Sequence, residues 1–298
     1  MIEILMTTYN SEKYIEEQLN SILNQHFKNF HVTISDDSSS DRTMQIIQKY
    51  AKIFPEKISI IYDEAMIGSV CKSFSRLLQQ CNAEYIAFCE QEDIWKKDKL
   101  LIEIKKIRQL EALHGKSTPI LVHSDLEIID DNFNINHKSF FKHNNLLSEP
   151  KLENLLIENS IKGGTCLFNN ALLLLSKNMP GEVIMYDWWI ALLAASFGKI
   201  GFVNLPLVSC REKSKEINSR KNSIRPLDFL KASIQYSYKQ AEILLFQFST
   251  NLPINKFEII GEYACFLIET KSNKIKTIIY KGYKKRGFKK LISQIVFC

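Results

Sequence analysis

At 298 residues, 45% hydrophobic and 24% charged, the chain has the composition of a globular protein able to bury one large core or two modest ones, which excludes global disorder. The formal charge is +6, yet residues 271–298 carry nine Lys/Arg and no acid, so everything before them is net negative. Seven cysteines, odd in number, scattered and without C-x-x-C spacing, argue against a zinc site or a disulfide framework and imply a reducing, cytoplasmic setting.

The first residues, Met1 to Met6, lack a basic flank, and no apolar run approaches the ~18 residues of a membrane span, so neither a signal peptide nor an integral segment is expected. Ile2–Met6 reads as a short strand, followed by a helix that Ser11 can cap and whose Ile15, Leu19, Ile22 and Leu23 share one face. A second strand, Phe30–Ile34, runs into Ser35-Asp36-Asp37-Ser38-Ser39-Ser40-Asp41. Then come a helix with Met44, Ile47, Ala51 and Phe54 in register, a strand at Ile58–Tyr62, a helix around Lys72–Gln80 and a strand at Tyr85–Cys89. Strands separated by helices of ten to fifteen residues predict right-handed βαβ units and a mainly parallel, Rossmann-like sheet flanked by helices. In such a sheet ligands bind at the carboxyl ends of the strands, where Thr7-Thr8-Tyr9-Asn10, Asp36-Asp37 and Glu90-Gln91-Glu92-Asp93 all fall.

The last of these clusters is the most informative. Three acids crowded at the end of a buried strand repel one another, and a divalent cation is the simplest remedy; such a metal suits a phosphate-bearing substrate. A solvated acidic turn is the bland alternative. Neither G-x-G-x-x-G after the first strand nor G-x-x-x-x-G-K-[ST] is present, which argues against a dinucleotide fingerprint and a P-loop.

Further along, Ile120–His123 is a strand ending near Asp125. Gly163-Gly164 fits a backbone that must pass close to another group, although a plain turn would use the same residues. Asp187 precedes an apolar helical stretch closed by Gly198, and it reads locally as a helix N-cap. Arg211 opens a basic stretch. In residues 271–298, Ile278, Ile279, Phe288 and Phe297 interleave with the basic residues, a pattern suited to an anionic membrane surface; a solvated helix is the alternative, and no nucleic-acid module is seen.

Met6-Thr7-Thr8-Tyr9-Asn10, Ser35-Asp36-Asp37-Ser38, the acidic cluster with Ile94-Trp95, His123-Ser124-Asp125, Gly163-Gly164-Thr165 and Asp187-Trp188-Trp189 occur in the order seen in family 2 glycosyltransferases, and the chain resembles their bacterial rhamnosyltransferase-like branch. The resemblance implies a GT-A fold over residues 1–212, with a nucleotide-binding half (1–100) and an acceptor half (101–212), and a basic, mostly helical extension over 213–298. It also implies an inverting hexosyltransferase that takes rhamnose or another hexose from dTDP-rhamnose or a UDP-hexose. The acceptor would be a surface glycan or lipid-linked saccharide, the cofactor Mg²⁺ or Mn²⁺, and the setting polysaccharide biosynthesis, cytoplasmic or peripheral on the membrane's inner face. An inactive nucleotide-sugar-binding subunit of the same fold is the other class to weigh.

By that resemblance Thr7 and Tyr9 flank the donor base, Asp37 accepts from it, Arg211 clamps the diphosphate, and Glu92, flanked by Glu90 and Asp93, holds the metal. Asp187 is the base that deprotonates the acceptor hydroxyl, and Asp125, Gly164 and Trp188 line the donor and acceptor sugars. The usual motif is Asp-Gln-Asp-Asp. Glu at 90 and 92, each one methylene longer, leaves metal dependence less secure than the fold.

Overall fold

The computed structural model describes residues 1–62, 67–181 and 183–211, together with isolated positions between 239 and 255. In chain order the elements are β1 (Ile2–Thr8), α1 (Ile15–Leu23), β2 (Phe30–Asp36), α2 (Thr43–Ile53), β3 (Ile58–Ile61), α3 (Val70–Gln80), β4 (Tyr85–Cys89), β5 (Ile94–Trp95), α4 (Lys99–His114), β6 (Ile120–Ile129), β7 (Ile135–His137), α5 (Phe140–Asn144), α6 (Leu152–Leu155), β8 (Cys166–Asn169), α7 (Asn170–Ser176), α8 (Tyr186–Phe197) and β9 (Lys199–Arg211). The expected extension 213–298, apart from those isolated positions, and its membrane-directed tail 271–298 lie outside the described residues. No helix among the described residues is long and apolar enough to cross a membrane.

The strands form one nine-stranded sheet in the order β3-β2-β1-β4-β8-β6-β9-β5, with β7 paired to β6. Its first half is parallel, as the βαβ alternation predicts: β1 pairs in parallel with both β2 and β4. The second half is mixed. β8 runs antiparallel to β4 and β6, while β6 and β9 are parallel with a bulge around Asp125.

Strand alternation sends side chains to two separate cores. From β4, Ile86 and Phe88 join a cluster with Phe74, Phe168, Trp189 and Leu193 beneath α3, α7 and α8. Ala87 and Cys89 face a second cluster with Ile4, Ile15, Leu19, Leu100 and Ile104 beneath α1 and α4. Glu90, the next residue in the alternation after Ile86 and Phe88, therefore emerges on the same side as α8.

Two helix starts differ from expectation. Ser11 does not cap α1 with its hydroxyl; its carbonyl instead closes the preceding turn by accepting the Tyr14 and Ile15 amides, and the N-cap is Tyr14. In α8 the N-cap is Met185, so Asp187 lies inside the first turn rather than before it. Among buried polar groups, Lys99 and Glu103 form an ion pair at 2.7 Å with neither side chain exposed. Lys99 also lies 4.2 Å from the Trp95 ring, and burial raises Glu103 to about 7 despite the lysine.

Candidate active site

The ends of β1, β2 and β4 are laced together by side chains. The Thr8 hydroxyl donates to Asp36 Oδ1 at 2.6 Å, and the Asp37 amide donates to the Thr8 carbonyl at 2.8 Å. Asp36 also accepts from the Ser39 amide and hydroxyl at 2.8 and 2.7 Å, so it organises the turn. Thr7 sits one residue before the end of β1, in register with Ser35. Tyr9 is 47% exposed, leaving a ring available for stacking. Asp37 accepts the amides of Ile67 at 2.5 Å and Gly68 at 2.9 Å, which ties it to the loop before α3.

Sequence reading did not single out Gln91. Its Oε1 accepts the Tyr9 amide at 2.8 Å and its Nε2 donates to the Tyr9 carbonyl at 3.2 Å. The residue between the acids thus fixes the backbone that presents Tyr9.

The three acids do not point together. Asp93 is 4% exposed. A Cβ added at Gly164 would lie 2.3 Å from Asp93 Oδ2, so only glycine passes over it there. Burial, and next the charges of Glu90 and Glu92, push the Asp93 carboxyl well above the usual range; the Cys210 thiol and Lys99 work in the opposite direction. Its Oδ1 is buried without a hydrogen-bond partner. Glu90, half-buried, accepts from the hydroxyl of Tyr186 on α8. Glu92 is half-buried.

By charge and donor type Glu90 and Glu92 fit a hard divalent cation, which would offset the carboxylate repulsion that also acts on Asp93. By geometry the cluster is not a ready cage, because among the described residues no three His, Cys, Asp or Glu side chains converge as metal ligands. Asp93 is thereby corrected from an open ligand to a buried neighbour of the site.

Asp187 lies on the other side of the Gly163-Gly164 turn, 4% exposed. Its Oδ1 accepts from Asn159 Nδ2 at 3.1 Å and from the Trp188 amide at 2.6 Å, whereas Oδ2 accepts from the Gly163 amide at 3.1 Å. Burial raises its pKa, opposed first by the Lys162 charge and then by the backbone amides. A carboxylate that is raised yet held by amides has the character required of a general base.

Several other assignments move. Trp188 is 7% exposed and its indole donates to the Leu155 carbonyl at 2.5 Å, so it anchors α8 to α6 and does not line an open sugar site. Asp125 is buried and saturated by the amides of Leu126, Phe140 and Phe141 and the Ser139 hydroxyl, which makes it the anchor of α5. Arg211 is not brought to the other site residues. Alternation along β9 turns Cys210 toward Asp93 and Arg211 to the opposite face, where it is paired with Glu17 and held between the rings of Tyr14 at 5.1 Å and Phe133 at 4.8 Å. His123 is a buried sheet histidine whose Nε2–H donates to the Ser148 carbonyl at 2.8 Å, and burial pushes it down to about 4. A cavity of about 660 Å³ lined by Glu84, Glu111, Pro119, Leu174 and Phe197 lies at the amino end of β4, the opposite edge of the sheet from these groups.

A parallel βαβ half with polar clusters at its strand ends, joined through an acidic turn to a mixed second half, is the architecture of the GT-A class. The family model for glycosyl transferase family 2 matches residues 3–154, just over half of the sequence, and the chain belongs to that family. It is 41% identical over 98 residues to the dTDP-rhamnosyl transferase RfbG of Shigella flexneri, covering 32% of this chain and 34% of that protein. To the putative teichuronic acid biosynthesis glycosyltransferase TuaG of Bacillus subtilis it is 35% identical over 100 residues, covering 34% and 39%. These matches span little more than a third of either relative. Among solved structures, S. aureus TarS in complex with UDP-GlcNAc superposes with a TM-score of 0.60 at 22% identity over 88% of this chain and 71% of that one. The mannosyltransferase PcManGT of Pyrobaculum calidifontis, in complex with GDP-Man and Mn²⁺, gives 0.59 at 14% identity over 99% and 78%. Both share the GT-A fold.

Proposed function

We propose that the protein is an inverting glycosyltransferase that moves a sugar, rhamnose or another hexose, from a nucleoside-diphosphate sugar to a hydroxyl of a bacterial surface glycan or lipid-linked saccharide. The observation that carries this reading is the meeting of two groups at the Gly163-Gly164 turn, Asp187, whose Oδ2 takes the Gly163 amide, and the acidic cluster under Gly164, with Gln91 of that same cluster tied to Tyr9 at the end of β1. Family membership and the names of the relatives support it.

Asp187 Oδ2, with one amide donor, keeps a lone pair for the proton of the acceptor hydroxyl. The freed oxygen attacks the anomeric carbon as the bond to the diphosphate breaks on the opposite face, and the nucleoside diphosphate leaves with the electron pair. Tyr9 stacks on the base, Thr7 flanks it and Asp37 accepts from it. A divalent ion, Mg²⁺ or Mn²⁺, held through Glu92, supplies neutralisation of the departing diphosphate when bound. Residues 1–100 form the donor half and 101–212 the acceptor half of this reading. The basic, apolar tail 271–298 supplies attraction to an anionic membrane surface where a lipid-linked acceptor resides.

Thermal-shift titration with dTDP, UDP and GDP, with and without Mn²⁺, tests the proposal. Selective stabilisation by one diphosphate, strengthened by the metal, is the expected result, and no stabilisation by any of them contradicts it. Binding without turnover on any donor would identify an inactive nucleotide-sugar-binding subunit.

A further inference from the structure

Glu90 stands where the related motif has aspartate, and its extra methylene has a specific use in this fold. Its carboxylate accepts from the hydroxyl of Tyr186, the first residue of α8 and the immediate neighbour of Asp187. The Tyr186 ring cannot move freely. It is 2% exposed, stacked on Phe74 with centroids 3.9 Å apart and set edge-on to Phe88 at 5.0 Å. A Cβ at Gly163 would lie 2.1 Å from the Tyr186 hydroxyl oxygen, so the glycine that donates to Asp187 is also pressed against the phenol.

Shortening Glu90 to aspartate withdraws the carboxylate by one carbon–carbon bond, about 1.5 Å, while the packed ring cannot follow. We infer that Glu90 is a positioning residue, not a metal ligand: its carboxylate braces Tyr186, and through the Gly163 turn sets the start of α8 and the orientation of Asp187, leaving Glu92 to face the cation. This rests on the glycosyl-transfer reading for its kinetic consequences but not for the brace itself.

The test compares full-length Glu90→Asp, Glu90→Gln, Tyr186→Phe and the double variant Glu90→Asp/Tyr186→Phe by three readouts. In thermal unfolding, Glu90→Asp and Tyr186→Phe should each lower Tm by about 2–4 °C, with the double variant no lower than either, and Glu90→Gln, which keeps length and an acceptor oxygen, should stay nearer the parent. In Mn²⁺ titration by electron paramagnetic resonance, all four should keep affinity within about three-fold of the parent, whereas Glu92→Gln should lose ten-fold or more. In turnover of the nucleotide sugar, the two shortening or truncating variants should lose about ten-fold in kcat with donor KM unchanged. A ten-fold loss of Mn²⁺ affinity in Glu90→Gln and Glu90→Asp, with Tyr186→Phe unaffected, would make Glu90 a ligand and overturn the inference. So would additive losses of Tm. If the parent neither binds Mn²⁺ nor turns over any nucleotide sugar, the functional reading fails, and the unfolding cycle alone decides the brace.

Discussion

Gln91 holds Tyr9 by both halves of its backbone, accepting from the amide at 2.8 Å and donating to the carbonyl at 3.2 Å across 82 residues of sequence. The side-chain amide copies what a neighbouring strand would do, so the exposed Tyr9 ring is presented from a fixed backbone. Gln91→Ala removes two hydrogen bonds of about 1 kcal/mol each. Affinity for the preferred nucleoside diphosphate should fall about 5–20-fold by calorimetry, with kcat for bound donor little changed. An unchanged dissociation constant would leave Tyr9 without a role in base binding.

Lys162 is the strongest opponent of the burial that raises Asp187. A nearby positive charge favours the carboxylate, so Lys162→Met should raise the Asp187 pKa further. A base must be deprotonated, so activity is lost as pH falls through that pKa. The acidic limb of the kcat profile should lie above the ordinary carboxylate range in the parent and move to higher pH in Lys162→Met, while the alkaline limb stays in place. A limb that does not move would separate the observed titration from Asp187.

The Lys99–Glu103 pair is wholly enclosed between α4 and the sheet, and Lys99 lies close enough to the acidic turn to pull Asp93 downward. Removing Lys99 takes away the cation that holds the Glu103 pKa down and leaves a buried, unpaired carboxyl, so Lys99→Met should destabilise by about 3–5 kcal/mol in urea unfolding. Lys99→Met/Glu103→Leu should recover most of that loss. If the double variant is as unstable as the single, the pair contributes net stability beyond neutralising its own charges.

Arg211 is held between Tyr14 and Phe133 and paired with Glu17, which together require a flat guanidinium. Arg211→Lys should therefore lower Tm by a few degrees and leave the affinity for nucleoside diphosphate unchanged. A diphosphate clamp predicts the reverse, a loss of affinity at nearly constant Tm.

The parallel half of the sheet was legible because β1 and β4 are largely apolar runs ending in polar residues, β2 alternates Phe30, Val32 and Ile34 with polar residues, and Tyr85–Cys89 matches its predicted bounds. The antiparallel additions were not. β5 and β7 are two and three residues long, and Cys166–Asn169 runs without a break into the apolar α7, so no period separates strand from helix there. Gly163-Gly164 announced a close approach, but the groups that approach, Tyr186 and Asp93, come from distant segments. The same holds for the Glu90–Tyr186 contact, spanning 96 residues, and for Gln91 on Tyr9. Asp125 and Trp188 carried motif positions whose side chains the fold turns inward to satisfy α5 and α6. For Arg211, the alternation of β9 places it on the face away from Cys210.

The central claim is that Asp187 takes the acceptor's proton, and Asp187→Asn tests it most directly, because the amide keeps the size of the side chain while lacking a basic oxygen. Steady-state transfer should fall about 10²–10⁴-fold in kcat, with the calorimetric dissociation constant for the nucleoside diphosphate within about two-fold of the parent, as a group that acts only on the bound acceptor requires. Turnover within a few-fold of the parent would contradict the assignment and reduce Asp187 to a brace between α8 and the Gly163 turn.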